Sequence, residues 1–184
     1  MTQLETKRLT LRRLTTADAP LILALLNDPD FLRFVGDRRA RTEADACAYL
    51  ANGPLASYAR HGFGPCAVEL KRGRLPIGIC GLFKREHLPD PDIGFAFLPA
   101  WRGRGFAGEA ARAVLADSSA RLRLPRVLAI VDPANERSIA VLQRLGLEAT
   151  GTLPGDNEGV LGCYAIEFAA ARPLPAADSA GPGT

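Results

Sequence analysis

The chain has 184 residues, 47% of them apolar and 23% charged, which suits one globular domain large enough to bury a sizeable core. Its 23 basic and 20 acidic residues leave a net charge of +3, too small and too scattered to mark a nucleic-acid partner. No apolar run approaches the roughly 20 residues of a membrane span, and Met1–Glu5 contains an acid with no apolar stretch behind it, so neither a membrane partner nor a signal peptide is expected.

In chain order, Lys7–Arg13 alternates Leu9 and Leu11 with Arg8, Thr10 and Arg12, as a half-buried strand does. Thr16 or Asp18 can cap a helix over Pro20–Leu26, which Asn27-Asp28-Pro29-Asp30 stops. A second helix starts at the Thr42 cap, runs to about Ala51, breaks at Gly53-Pro54 and resumes to His61. Phe63–Leu70 and Ile77–Phe83 read as a hairpin, and Asp92–Leu98 as a third, nearly continuous apolar strand with both faces covered. Ala107–Leu122 is an alanine-rich helix, Arg126–Val131 a strand, and Asn135–Leu145 a helix with Ile139, Leu142 and Leu145 on one face and Gly146 at its left-handed cap. Val160–Phe168 supplies a last strand, and the Pro/Ala/Gly-rich segment 172–184 is expected to be disordered. The basic clusters Arg38-Arg39-Ala40-Arg41 and Lys71-Arg72-Gly73-Arg74 read as solvated turns. Cys47, Cys66, Cys80 and Cys163 form no C-x-x-C pair and read as buried thiols of a reduced, cytoplasmic compartment. Two histidines, His61 and His87, are too few for a zinc site, so no metal is expected. The sum is one α+β domain with a mixed sheet.

The chemistry concentrates where the third strand meets the alanine-rich helix, at Trp101-Arg102-Gly103-Arg104-Gly105-Phe106-Ala107-Gly108. Glycines at 103, 105 and 108 let a bulky anion approach the backbone, and the N–H groups of the helix's first turn have no intrahelical partner. With Arg102 and Arg104 beside them, the residues suggest a phosphate or pyrophosphate cradle. Gly103-x-Gly105-x-x-Gly108 also satisfies the dinucleotide fingerprint, with Asp132 placed to hold a ribose. Against that NAD-binding oxidoreductase reading stand the four residues between strand and first glycine, the preceding hairpin, and the short chain left after Asp132.

Arg102-x-x-Gly105-x-Ala107 resembles the acetyl-CoA pyrophosphate signature of the GNAT superfamily. It follows Ile93-Gly94-Phe95-Ala96-Phe97-Leu98-Pro99, similar to that family's strand motif. Asn135-x-x-Ser138-Ile139-x-x-Leu142-x-x-Leu145-Gly146-Leu147 is similar to its later helix, and Glu5-Thr6-Lys7-Arg8-Leu9-Thr10-Leu11-Arg12 resembles the start of the RimJ/RimL-type branch. The resemblance implies a GNAT fold over 1–171, a single domain whose mixed central sheet is splayed between Asp92–Leu98 and Arg126–Val131. Acetyl-CoA would enter that splay, its pantetheine bonding the backbone of Phe97 and Leu98 and its pyrophosphate the amides of Arg102, Gly103, Arg104, Gly105, Phe106, Ala107 and Gly108. Asn135 would lie against the pantetheine arm, or serve only as a helix cap.

The implied activity is transfer of an acetyl group to a primary amine, on a protein N-terminus or a small molecule, within a ternary complex. A backbone N–H near Ala96–Phe97 is the natural oxyanion donor. Where the superfamily often has a tyrosine this chain has Leu142; the RimJ/RimL-type branch carries a serine instead, which makes Ser138 the candidate proton donor to the CoA sulfur. Glu69, Asp92, Glu109 and His61 are conceivable bases, with Glu69 expected at the solvent face and Glu109 at the helix N-terminus; none is assigned. The acceptor groove is expected along the first two helices and Cys163–Phe168, with specificity set by Thr42–His61 and the turns near His87 and Gly155–Gly159. A non-catalytic acyl-CoA-binding module on the same fold is the alternative, and a sheet-edge homodimer is left open.

Overall fold

The computed structural model describes residues 3–155 and 159–168. The expected disorder of 172–184 therefore lies outside the described residues. Eight strands form one mixed sheet: β1 (Leu4–Glu5), β2 (Leu9–Arg13), β3 (Pro65–Leu70), β4 (Leu75–Phe83), β5 (Asp92–Phe97), β6 (Arg126–Val131), β7 (Glu148–Pro154) and β8 (Val160–Glu167), in the order β1-β2-β3-β4-β5-β6-β8-β7. Every neighbouring pair is antiparallel except β5 with β6.

Among the described residues, six α-helices cover the two faces: α1 (Ala19–Leu26), α2 (Pro29–Phe34), α3 (Glu43–Leu50), α4 (Ala56–His61), α5 (Phe106–Ala120) and α6 (Glu136–Arg144). On β3 the alternation sorts side chains between two cores. Cys66 and Val68 join α5 and α6, whereas Ala67 joins α1 and α3. Both faces are thus covered, which is why β3 to β5 read as near-continuous apolar runs. On α5, Ala110 and Ala111 are fully buried and let the helix approach the sheet closely, flanked by buried Val114 and Leu115. Burying a side chain such as Leu115 is worth about 1.5–3 kcal/mol.

Three elements differ from the sequence reading. Asn27–Asp30 stops α1, as expected, but the same residues start α2: the Asp28 carboxylate accepts from the amides of Asp30 and Phe31, and Pro29 takes the first helical position. Gly53-Pro54 does not break the second helix. Ala51–Leu55 forms a π-helical turn, wide enough to absorb a proline that lacks an N–H, and α4 continues from it to the left-handed cap Gly62. Finally, β7 is an exposed edge strand without apolar alternation, interrupted by a register shift at Ala149/Gly151.

Charge placement also corrects the reading. Glu69 does not face solvent; it is 7% exposed and accepts from Arg12 Nε at 2.7 Å. The same guanidinium reaches both oxygens of the buried Asp18 at 2.8 and 2.7 Å. Arg12 therefore locks β2 to β3 and to the lead-in of α1.

Candidate active site

The sheet opens between β5 and β6. The two strands share only the register pair Asp92↔Leu128, closed by Leu128 N–H to Pro91 C=O at 2.9 Å. Successive peptide groups of a strand point to opposite sides. Leu98 N–H donates to Ile77 C=O at 3.0 Å beside the pair Gly78↔Phe97, so the peptide groups of Phe97 and Phe95 point away from β4, into the opening. Past Ile93 no β6 partner is in register to receive them.

A cleft of about 660 Å³ occupies this side of the molecule. Phe95 and Ala96 line one wall, Ala129–Asp132 with Asn135, Ser138 and Leu142 line the other, and the outer rim comes from α2, α3, α4 and the β4–β5 loop. Asn135 caps α6, its side chain accepting from Ser138 N–H at 3.1 Å. The cap satisfies the local N–H and leaves the Ser138 hydroxyl without a hydrogen-bond partner among the described residues. Leu142 is buried at 2% exposure and contributes only an apolar surface.

The glycine turn lies beyond this cleft's lining, at the N-terminus of α5. Gly103 and Gly105 hold left-handed φ values of 72° and 78°, and a Cβ at Gly103 or Gly108 would meet nothing within 4 Å. The N-cap Gly105 brings no side chain to the first-turn amides, which leaves them facing an open surface. Arg104 stacks over Trp101, 5.0 Å from its ring centroid. Arg102 is turned elsewhere: its Nε donates to Phe97 C=O at 2.8 Å, and its terminal nitrogens reach Asp30 at 2.8 Å and the buried Asp28 at 2.5 Å. At the glycine turn it therefore presents its main chain alone. Leu98 offers no free peptide group, because its carbonyl also accepts from Trp101 N–H at 2.9 Å.

One basic residue at this turn was missed by the sequence reading. Arg8, from the start of β2, donates to Arg104 C=O at 3.1 Å and lies over the Phe106 ring. Glu109, expected to complement the helix N-terminus, also ion-pairs Arg8 at 2.6 Å and accepts from the Thr6 hydroxyl at 2.6 Å. Burial raises the Glu109 carboxyl, but those hydrogen bonds outweigh it and hold the group below its ordinary range. An ionised, fully bonded carboxylate of this kind is a poor general base.

Of the other conceivable bases, Asp92 and His61 line the cleft and Glu69 does not. Asp92 is 1% exposed, with both oxygens 3.1 Å from Arg85 Nε. Its burial pushes the carboxyl above the usual range, against the pull of Arg85. The groove also departs from expectation. Helix α1 lines no part of it, α2 contributes Phe31 and Phe34, and β8 contributes Leu161 in place of Cys163–Phe168. The α3–α4 segment, His87 and Gly155 do line it, while residues 156–158 lie outside the described ones. Arg38, read as part of a solvated turn, is on the cleft wall together with Arg60, Lys84 and Arg85.

A family model described as "Acetyltransferase (GNAT) domain" matches residues 8–148. The chain belongs to the GNAT acetyltransferase family. It is 29% identical over 165 residues to the uncharacterized protein YkkB of Bacillus subtilis, covering 86% of this chain and 92% of that one. It is 26% identical over 157 residues to the uncharacterized N-acetyltransferase YnaD of the same organism, covering 83% and 89%. Among solved structures, an acetyltransferase from Agrobacterium tumefaciens superposes with a TM-score of 0.78 at 27% identity, covering 91% of this chain and 95% of that one. A ribosomal L7/L12 α-N-protein acetyltransferase solved with coenzyme A (TM-score 0.72, 14% identical, covering 92% and 100%) shares the fold. The GNAT assignment makes the chain an acyltransferase whose fold takes acetyl-CoA as co-substrate. Among the described residues no helix is long and apolar enough to cross a membrane, and no group of three His, Cys, Asp or Glu is placed to hold a metal.

Proposed function

We propose that the chain transfers the acetyl group of acetyl-CoA to a primary amine bound on the α2–α4 side of the cleft, by direct attack in a ternary complex. The observation that carries this reading is the divergence of β5 from β6 after a single register pair, which leaves strand peptide groups without a partner beside a cleft. Residues at the site fit the group. Open space over Gly103 and Gly108 and the first-turn amides of α5 suit a diphosphate, and the Phe95 peptide suits an amide-bearing arm laid alongside β5.

Bound there, acetyl-CoA supplies an activated thioester carbonyl. The Phe97 N–H is the donor we assign to the oxygen where negative charge develops, since the Ala96 N–H belongs to the β4 side of the strand. The Ser138 hydroxyl is the group we assign to return a proton to sulfur, on the strength of its place in the cleft and its lack of another partner. Arg104 and the amides of Gly103–Gly108 hold the diphosphate, and Arg102 keeps the turn in shape. No side chain is assigned as base; the amine's proton leaves to solvent. This residue pattern, with Leu142 in place of a tyrosine, supports placement near the RimJ/RimL-type branch, and a reduced cytoplasmic setting suits four cysteines that form no disulfide.

The competing dinucleotide reading fares worse. β4 and β5 are antiparallel, so the glycine turn does not follow a βαβ strand, and the Asp132 carboxylate accepts from Ala134 N–H. The deciding experiment is calorimetric titration with CoA and with NAD, followed by release of CoA thiol from acetyl-CoA over an amine panel. CoA binding with acceptor-dependent thiol release is expected. Binding of CoA without turnover on any amine returns the chain to a non-catalytic acyl-CoA module, and binding of NAD alone overturns both.

A further inference from the structure

Four cationic side chains converge on the cleft from separate parts of the chain. Arg38 follows α2, Arg60 closes α4, and Lys84 and Arg85 follow β4, yet all four line one cavity. Only two carboxylates among the described lining residues face them, Asp92 and Asp132. Asp92 is engaged by Arg85 Nε, and Asp132 stands on the β6 side holding Ala134 N–H at 2.8 Å.

The state of each cation matters more than their number. Lys84 Nζ is tied to the Leu88 and Pro89 carbonyls at 2.7 and 2.9 Å, so it is a fixed charge. Arg85 uses only Nε on Asp92, leaving its two terminal nitrogens without a hydrogen-bond partner among the described residues, with the guanidinium 5.7 Å from the Phe83 ring centroid. Arg38 has one long bond, from Nη2 to Val35 C=O at 3.3 Å. Arg60 has none. Arg38, Arg85 and the Tyr49 phenol all line the same cleft, so two guanidiniums and a hydroxyl share one cavity. A guanidinium with unpaired parallel N–H groups beside a hydroxyl donor is a fork suited to a carboxylate or phosphoryl oxygen pair.

We propose that the acceptor is an anionic amine, a primary amine whose own molecule carries a carboxylate or phosphoryl group seated between Arg38 and Arg85 beside Tyr49, with Arg60 at the rim. This deepens the acetyl-transfer reading and rests on it. The same charges explain how the amine is readied without an assigned base. A positive wall disfavours the ammonium form and so lowers the amine's proton affinity in the site, while the acceptor's own anion supplies the attraction. A polyamine gains nothing from such a wall and is repelled by it.

The test compares acceptors matched except for charge: a free amino acid against its carboxamide, an O-phosphorylated amino alcohol against the parent alcohol, an acidic tripeptide against its Asn/Gln counterpart, and spermidine. The anionic member of each pair is expected to show a kcat/KM at least tenfold higher, with the small-molecule and peptide arms telling which source of the anion fits. Arg38→Gln, an exposed residue whose loss strands no buried group, is expected to raise the acceptor KM about tenfold and collapse the preference. The loss falls on the acceptor KM and not on the acetyl-CoA KM. Arg72→Gln, the same charge change on the exposed β3–β4 turn, keeps the parent preference. Equal or better use of spermidine or the neutral partners overturns the proposal while leaving acetyl transfer intact. A rise in acetyl-CoA KM instead assigns the arginines to the CoA phosphates, and also overturns it. Should no acceptor turn over, titration of the acidic tripeptide into the CoA-bound chain decides: binding that Arg38→Gln weakens supports the site, and no binding sinks it.

Discussion

Arg102 closes on Asp28 at 2.5 Å, and the pair joins the turn that ends β5 to the N-cap of α2. Asp28 is 6% exposed and already caps α2 through the amides of Asp30 and Phe31, so one carboxylate holds both the helix start and the guanidinium. Because α2 carries Phe31 and Phe34 on the cleft wall, the contact couples the glycine turn to the cleft.

Asp28→Ala removes the cap and one of the two carboxylates that hold Arg102. Loss of the cap alone costs about 1 kcal/mol, and the lost charge-assisted hydrogen bond to Arg102 adds to it, for an expected loss of about 2 kcal/mol in urea unfolding. Asp28→Asn keeps a capping oxygen and is expected to lose less. Equal stability of the alanine variant and the parent would show that the pair is not coupled to the fold.

Gly108 and Gly105 separate ligand approach from backbone strain. Gly108 lies in the first turn of α5 without a positive φ and with open space at its Cβ position, so Gly108→Val is expected to fold normally. Its bulk on the open face should weaken CoA binding tenfold or more by calorimetry. Gly105→Val also forces a β-branched residue into the left-handed region, at about 1–2 kcal/mol, and is expected to lose stability as well as affinity. Undiminished CoA affinity in Gly108→Val argues that the diphosphate sits elsewhere.

Ser138→Ala tests the proton donor. The Asn135 cap is untouched, since it bonds the Ser138 main chain, so stability should stay within about 0.5 kcal/mol of the parent. The expected change is a fall in kcat of roughly 10²-fold with little change in either KM, the size general-acid catalysis provides. An unchanged kcat removes Ser138 from the mechanism.

Asp18 gives a pH signature. Burial raises its carboxyl, but hydrogen bonds from Arg12 and from the Thr15 amide and hydroxyl outweigh that and hold it below the ordinary aspartate value. A folded-state value below the unfolded one, about 4, makes the contribution fully present above that pH and lost as pH falls through the folded value. The stability gap between the parent and Asp18→Asn is therefore expected to be flat from about pH 5 to 8 and to shrink below about pH 4. A gap that widens on acidification would reverse the sign.

Local chemistry is where the sequence reads best. The three-stranded meander of β3, β4 and β5, the alanine-rich α5 with its glycine N-cap, and α6 between Asn135 and the left-handed Gly146 all lie close to where the residues put them. Each is announced by apolar periodicity or by a terminus signal within a few residues. Less was legible where one residue serves two elements: Asp28-Pro29 ends α1 and begins α2, and a stop signal hides a start signal. Strand β7 left no pattern because it is exposed on an outer edge, where no face has to be apolar.

By itself the sequence determined the family motifs, the glycine turn, and the residues Asn135 and Ser138 that come to line the cleft, because each depends on neighbours a few positions away. Which charges meet was decided only by the tertiary structure. Arg102 leaves the glycine turn for Asp28, Arg8 arrives at it from β2, Glu69 goes inward to Arg12, and Arg38 joins Arg60 and Arg85 in lining one cleft. Long cationic side chains carry no periodicity that names a partner. Their pairing is set by which strand ends and loops the sheet order brings within reach.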